Sequence, residues 1–291
     1  MARLRYVQDL APAPAGAPKP SATQTTHTVQ SIRALYETEP EIAAALLPRP
    51  LVAAARPEIF VQFANIAMHL SPERTVRLGA ATVGVACTYE GAPGFYVLAM
   101  PMEGEFVVIG GREKFGEPKK IASTAFEVSD DRVMGSVTRH GVAFLELRGR
   151  LGAQSDTPKQ FTEHFYCYKA LPTCMPELNP NGGFDGEVLL TRLNWERNYT
   201  SVRHVGDGEV ILRESAHDPL VDVPVKRLVR MEFAEGATKT GGQVMQTVPG
   251  EWLAPFLAQR YDVPQPGVEV PLASERAGGV AGVSSKESAH V

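Results

Sequence analysis

The chain has 291 residues, 44% hydrophobic and 21% charged, with a formal net charge of −4. That length suits one large domain or two small ones, and the composition is that of an ordinary globular protein. The acidic balance argues against a broadly basic nucleic-acid surface, no apolar run is long enough to span a bilayer, and the scattered Lys and Arg form no polybasic anchor, so neither nucleic acid nor membrane is an expected partner.

Met1 to Leu10 carries charge with no apolar stretch behind it, which is not the pattern of a secretory signal. Ala11 to Thr26 is rich in Ala, Pro, Ser and Thr, so residues 1–26 read as a flexible extension. A single globular unit is expected over 27–263. Pro40 to Leu47 predicts a short helix, with Pro in its first turn and a stop at Pro48. Strand patterns dominate the rest of this unit: Ile59 to Met68, Ala80 to Tyr89, Phe95 to Met102, Arg132 to His140, Val142 to Leu151, Val188 to Leu193, Glu209 to Arg213 and Val225 to Phe233. Glu90-Gly91 and Gly206-Asp207-Gly208 read as hairpin turns. Gly116 to Ala125 is expected to hold a short turn or helix, and Glu251 to Leu257 a terminal helix. Residues 264–291, rich in Gly, Ala and Ser toward the end, read as a flexible tail. Repeated βαβ units are missing, which disfavours a doubly wound parallel sheet. The expected class is mainly β (α+β): a large curved antiparallel sheet or barrel with a few peripheral helices.

Cys87, Cys167 and Cys174 make no disulfide framework and show no zinc-site spacing. They read as buried small hydrophobes in a reducing compartment, which points to the cytoplasm. G-x-S-x-G, H-E-x-x-H, P-loop and G-x-G-x-x-G patterns do not occur, so no metal or nucleotide cofactor is implied. His69, His140 and His217 are isolated and read as structural.

The chemistry concentrates in Gly111-Arg112-Glu113-Lys114-Phe115-Gly116-Glu117-Pro118-Lys119-Lys120-Ile121. A lysine is a nucleophile only as the neutral amine, and both a cationic neighbour and a dry pocket disfavour the ammonium form. Lys120 beside Lys119 is the expected neighbour: at an effective dielectric of about 20, unit charges about 6 Å apart repel by about 3 kcal/mol. Glu117 is a candidate proton shuttle. An ionised carboxylate at the amine would instead hold it charged, so Glu117 either points away or is protonated for part of a cycle. Arg112 and Glu113 are expected at the substrate pocket, paired with each other and bracing the loop, and Tyr96, Met100 and Phe115 are candidates for the apolar wall of that pocket.

The Gly-Arg-Glu…Pro-Lys-Lys string resembles that of the acetoacetate decarboxylase family. Leu47-Pro48-Arg49-Pro50-Leu51, Ala67-Met68-His69 and the stretch from His217 through Asp222-Val223-Pro224-Val225-Lys226 are similar to other family segments, so the likeness spans roughly residues 27–235. It implies a cone-like β-barrel, a homo-oligomer, a Schiff base on Lys119 and an activating role for Lys120. Departures are visible too. Ungapped counting puts Val29 where the family has an active-site arginine, Ala64 where it has an acid, and Gly79 or Ala80 where it has a catalytic glutamate. Glu90 falls at a turn. Among Arg192, Arg197, Arg203 and Arg213, one is a possible replacement anchor for a substrate carboxylate. The resemblance implies a lyase acting on a keto acid, decarboxylase-type, with aldol–dehydration chemistry on a 2-oxo acid such as pyruvate as the alternative. A barrel that binds a ligand without catalysis is the second alternative. The lysine mechanism requires an amine shut away from water and free of an adjacent acid.

Overall fold

The computed structural model describes Tyr6 and residues 25–71, 73–155, 158–175 and 180–273. The stretches 1–5, 7–24 and 274–291, which carry most of the expected flexible extension and most of the tail, lie outside the described residues, while Thr25 and Thr26, read as extension, already belong to the first strand. In chain order the elements are β1 (Thr25–Glu37), α1 (Pro40–Ala45), β2 (Val52–Ala53), β3 (Glu58–Ser71), β4 (Arg74–Tyr89), β5 (Ala92–Met102), α2 (Glu105–Phe115), β6 (Lys119–Ile121), β7 (Ser123–Val128), β8 (Arg132–Arg139), β9 (Val142–Ser155), β10 (Lys159–Lys169), β11 (Val188–Leu212), β12 (Arg227–Val248) and α3 (Leu257–Arg260).

All twelve strands join one sheet, ordered β10-β5-β4-β3-β1-β12-β11-β9-β8-β7. A further pairing of β10 with β11 closes its first seven strands into a ring, and β9-β8-β7 continues as a flap beyond β11. Pairing is antiparallel except for β10 with β5 and β5 with β6. The expected curved, mostly antiparallel sheet with few helices is what the chain forms, with these two parallel pairings making it mixed.

Strand alternation sends alternate side chains to opposite faces. Ring strands β3 and β4 are buried on both faces and therefore read as nearly continuous apolar runs. On the outer face Ile32, Val61, Phe63 and Val83 pack with Val137, Leu145 and Leu147 of the flap. On the inner face Phe60 meets Phe95 and Phe165, with ring centroids 5.2 and 5.4 Å apart, and Phe165 meets Trp195 at 4.2 Å. Since β3 and β10 are not neighbours in the sheet, the Phe60–Phe165 contact spans the ring.

Several local expectations are corrected. Gly206-Asp207-Gly208 is no hairpin turn: Val188 to Leu212 is one 25-residue strand, and the glycines fall in a register shift against β9. Glu90-Gly91 does turn a hairpin, with φ of 49° and 78°, the two positive values that a tight two-residue connection needs. The expected turn or helix at 116–125 is strand, and the helix precedes it as α2. Gly110, Gly111 and the run Val107-Val108-Ile109 lower helix propensity and hide α2 in the sequence. The terminal helix shrinks to two 3₁₀ turns and the four-residue α3. Cys87 and Cys167 are buried, whereas Cys174 is exposed. Among the described residues no helix is long and apolar enough to cross a membrane.

Candidate active site

The site is built where α2 gives way to β6. Gly116 stops the helix in the left-handed region, φ 72° and ψ 22°, with its N–H donating to Arg112 O at 3.0 Å. The backbone of Tyr168 and Lys169 packs against this glycine, leaving no room for a Cβ. Pro118 cannot continue a helix and biases Glu117 toward an extended conformation. The chain then pairs with β5, Lys119 opposite Met100. Extended geometry puts Glu117 and Lys119 on one side and Lys120 on the other.

Lys119 reaches into a cavity of about 290 Å³ at the mouth of the ring. His27, Gln62, Thr82, Met100 and Trp195 form part of the wall from the strands, and Phe115 and Lys114 form part of it from α2. The Lys119 side chain is 13% exposed, and its Nζ lies 2.8 Å from Glu117 Oε2, itself on a side chain 8% exposed. Nζ also donates to Val107 O at 3.3 Å. The amine is therefore shielded from water, but the other requirement read from the sequence, freedom from an adjacent acid, is not met: the Glu117 carboxylate is ion-paired with it. Glu117 does not point away.

Lys120 corrects the expected crowding. On the opposite face of β6 its Nζ donates to His217 O at 3.0 Å and pairs with Asp262 Oδ1 at 2.8 Å and Asp218 Oδ1 at 3.2 Å. Arg139 joins the same acids, donating to Asp218 Oδ2 at 2.6 Å and to both Asp262 oxygens. Two cations and two anions form a hub behind β6, and the charge of Lys120 is compensated there. Burial opposes ionisation of Asp262, but the bonds from Arg139 and Lys120 outweigh it and hold its carboxyl below the ordinary range. His140 and His217 stack beside Asp262, rings 4.1 Å apart. These three residues bring donor atoms within 4.8 Å of one another, but two cations already occupy Asp262, so the cluster reads as an ion-pair hub.

Residues 260–262 clamp the loop from outside. Arg260 donates to Gly116 O at 2.9 Å. Arg112 donates to Lys119 O at 2.8 Å and Arg260 O at 2.9 Å, while its guanidinium lies 4.8 Å from the Tyr261 ring centre. Arg112 thus braces the loop through backbone carbonyls, and Glu113 is exposed and off the cavity wall. Tyr96 stands apart from the cavity too, buried in the outer core with its ring 6.0 Å from that of Tyr168. Met100 and Phe115 line the cavity.

The register shows which polar residues ungapped counting overlooks. Val29 packs with Tyr199, Val202 and Ala234. Arg33 lies across from Gln62, and Gln62 across from Thr82. Gln62 Oε1 accepts from Arg197 at 3.0 Å, and Arg197 and Arg33 share Glu163. Of the four candidate anchors, Arg197 is the one hydrogen-bonded to a residue of the cavity wall, Gln62, among the described contacts. Arg203 and Arg213 bond to backbone carbonyls elsewhere, and Arg192 is absent from the cavity wall. Lys114, inside the lysine motif but given no role by it, is the second cation on that wall.

Sequence reasoning also passes over His27, an isolated histidine with no motif around it. It is 9% exposed, its Nε2 is 3.4 Å from Thr240 Oγ1, and its Nδ1 has no hydrogen-bond partner. Burial, then the charge of Lys119, then His69, push its pKa down to about 4, so it is neutral at pH 7.

A family model described as acetoacetate decarboxylase (ADC) matches residues 10–247. The chain is 31% identical over 102 residues to the acetoacetate decarboxylase of Burkholderia cenocepacia (strain HI2424), an alignment spanning 35% of this chain and 40% of that relative. Among solved structures, the acetoacetate decarboxylase of Legionella pneumophila superposes with a TM-score of 0.63 at 17% identity, covering 80% of this chain and 92% of that one. The enduracididine biosynthesis enzyme MppR complexed with pyruvate gives a TM-score of 0.64 at 14% identity, covering 80% and 95%. At these identities the structural likeness speaks to the fold.

Proposed function

We propose that this chain, which belongs to the acetoacetate decarboxylase family, is a lyase that forms a Schiff base between Lys119 and a keto acid, with decarboxylation as its reaction. The observation that carries this reading is the shielded Lys119 amine 2.8 Å from the Glu117 carboxylate inside a ring-mouth cavity. Crowding by Lys120 does not activate the amine. In the resting ion pair Glu117 holds Lys119 as the ammonium; attack requires that proton to pass to Glu117 across one short hydrogen bond, a transfer that exclusion of water by bound substrate favours because it replaces two buried charges by a neutral pair. The free amine attacks the ketone carbon, the C=O electrons pass to oxygen, and loss of water leaves an iminium. The bond to the carboxylate then breaks, its electrons flow to the iminium nitrogen, and carbon dioxide departs. The resulting enamine takes a proton at carbon, and water hydrolyses the new iminium to release ketone and lysine. Glu117 supplies and accepts protons in these steps, so it is protonated for part of the cycle.

The alternative is aldol–dehydration on pyruvate or another 2-oxo acid through the same iminium. It is favoured by an acid placed at the amine, since that chemistry moves protons in both directions. Incubation with acetoacetate or with pyruvate, followed by borohydride and peptide mapping, tests both. An adduct on Lys119 with carbon dioxide release supports the decarboxylase; an adduct formed only with pyruvate and without carbon dioxide supports the alternative. No adduct with either acid refutes the Schiff-base reading for these substrates and leaves a binding barrel. Glu117→Gln is expected to slow imine formation by about 100-fold or more, the usual worth of a positioned base.

A further inference from the structure

The unpartnered side of His27 decides what that residue does. An imidazolium donates from both ring nitrogens and needs two acceptors. Nδ1 is buried and has none, so charging the ring would strand a cationic N–H away from water. The geometry alone keeps His27 neutral, and its depressed pKa agrees. In the neutral ring one nitrogen carries the proton. A stranded N–H is costlier than a stranded lone pair, so the proton belongs on Nε2. That atom is the one beside Thr240 Oγ1, and both residues are in the cavity wall with Lys119.

We propose that His27 is a further catalytic residue of this site, a neutral imidazole whose Nε2–H donates to the keto oxygen as Lys119 attacks the adjoining carbon. As the N–C bond forms, the carbonyl electrons collect on that oxygen, and a donor fixed in the cavity wall stabilises it without net proton transfer. A neutral ring suits this role because an imidazolium here would repel the Lys119 ammonium before attack. Protons still travel through Glu117. The inference rests on the Schiff-base reading, and its test separates the two.

The substitution His27→Leu removes the donor, and His27→Gln keeps an N–H of similar reach. With saturating keto acid, His27→Leu is expected to lower the borohydride-trapping rate by about 100-fold, the worth of one such donor. The adduct should still map to Lys119, thermal unfolding should be unchanged, and His27→Gln should recover part of the rate. In the wild-type protein, ¹⁵N spectra of labelled histidine should show His27 as the neutral Nε2–H tautomer from pH 6 to 8. Trapping by His27→Leu at the wild-type rate, or an imidazolium signal for His27 at pH 7, overturns the proposal while leaving Lys119 chemistry standing. Failure of the wild-type protein to form an adduct overturns the Schiff-base reading itself, and this role with it.

Discussion

Gly111 is the first residue of the Gly-Arg-Glu string, and the structure says why a side chain would harm the site there. A Cβ on Gly111 would stand 2.5 Å from Lys119 Nζ and 2.6 Å from its Cδ, and would press on Glu117 Oε2 as well. Ordinary contact begins near 3.5 Å, so Gly111→Ala must drive the amine back by about 1 Å. The ends of Lys119 and Glu117 can yield, so the fold need not lose stability through the change. Within α2, alanine is worth about 0.5–1 kcal/mol over glycine, or roughly 2–4 °C in Tm for each kcal/mol in a chain near this size. The chemistry has no such slack: a reacting atom misplaced by about 1 Å costs about 100-fold. Gly111→Ala is therefore expected to keep or slightly raise Tm while cutting the borohydride-trapping rate about 100-fold. Scanning calorimetry and timed trapping with the keto acid that labels the wild-type protein give the two readouts. Trapping at the wild-type rate would refute the reasoning, because it would mean the amine does not work from the position next to Gly111.

Lys120→Met separates the hub from the crowding account: if Lys120 repelled Lys119, its loss would move the pH–rate profile upward by about two units, the equivalent of about 3 kcal/mol. The expected outcome is an unmoved profile and a stability loss of about 2 kcal/mol by urea unfolding, because Asp218, 3% exposed, loses a partner but keeps Arg139. Asp262→Asn is expected to cost about 2 kcal/mol near neutrality, a value reduced from that of a fully buried pair because 32% of the Asp262 side chain is exposed. Since the folded-state pKa of Asp262 is depressed, its contribution is complete above the unfolded value of about 3.9 and is lost as pH falls through the lower folded value. The gap between wild type and Asp262→Asn, followed by unfolding across pH, should therefore be flat from pH 5 to 8 and close below about pH 4.

Fold class and the candidate site are legible in the sequence for different reasons. Period-two alternation exposes the strands that are half-buried, such as β8, whose burial alternates residue by residue. It cannot show that Val188–Leu212 is one strand, because glycines inside a strand read as punctuation until the partner's register is known. The β1 segment, half of the register that brings Arg33 opposite Gln62, is not among the strands read from the sequence. The lysine motif points to Lys119, but a linear reading treats Lys119 and Lys120 as twins, and only pairing with β5 reveals that they face opposite ways. The clamp at 260–262 carries no motif, being made of carbonyl contacts, a cation–ring contact and the ion pairs of Asp262. It also lies beyond the segment that the family model matches. His27 needs both an unpaired nitrogen and a cavity to stand out, and neither is written in composition.

The charge balance of the cavity bears on what it accepts. Its ionisable wall consists of Lys114, Lys119, Glu117 and a neutral His27. Counting formal charges, two ammoniums and one carboxylate leave an excess of one positive charge, and passing a proton from Lys119 to Glu117 does not change that sum. A monoanionic keto acid brings the total to zero, and the balance holds through amine release and attack on the carbonyl. In the proposed reaction, decarboxylation would remove the substrate's negative charge as neutral carbon dioxide while the iminium positive charge is cancelled in the enamine, so the cavity would never carry more than one uncompensated charge. A dianion would invert the balance, and an uncharged ketone would bring no anion to offset the excess positive charge. On the proposed mechanism, this one-charge excess favours a monoanionic keto acid, the substrate class a Schiff base on Lys119 would use.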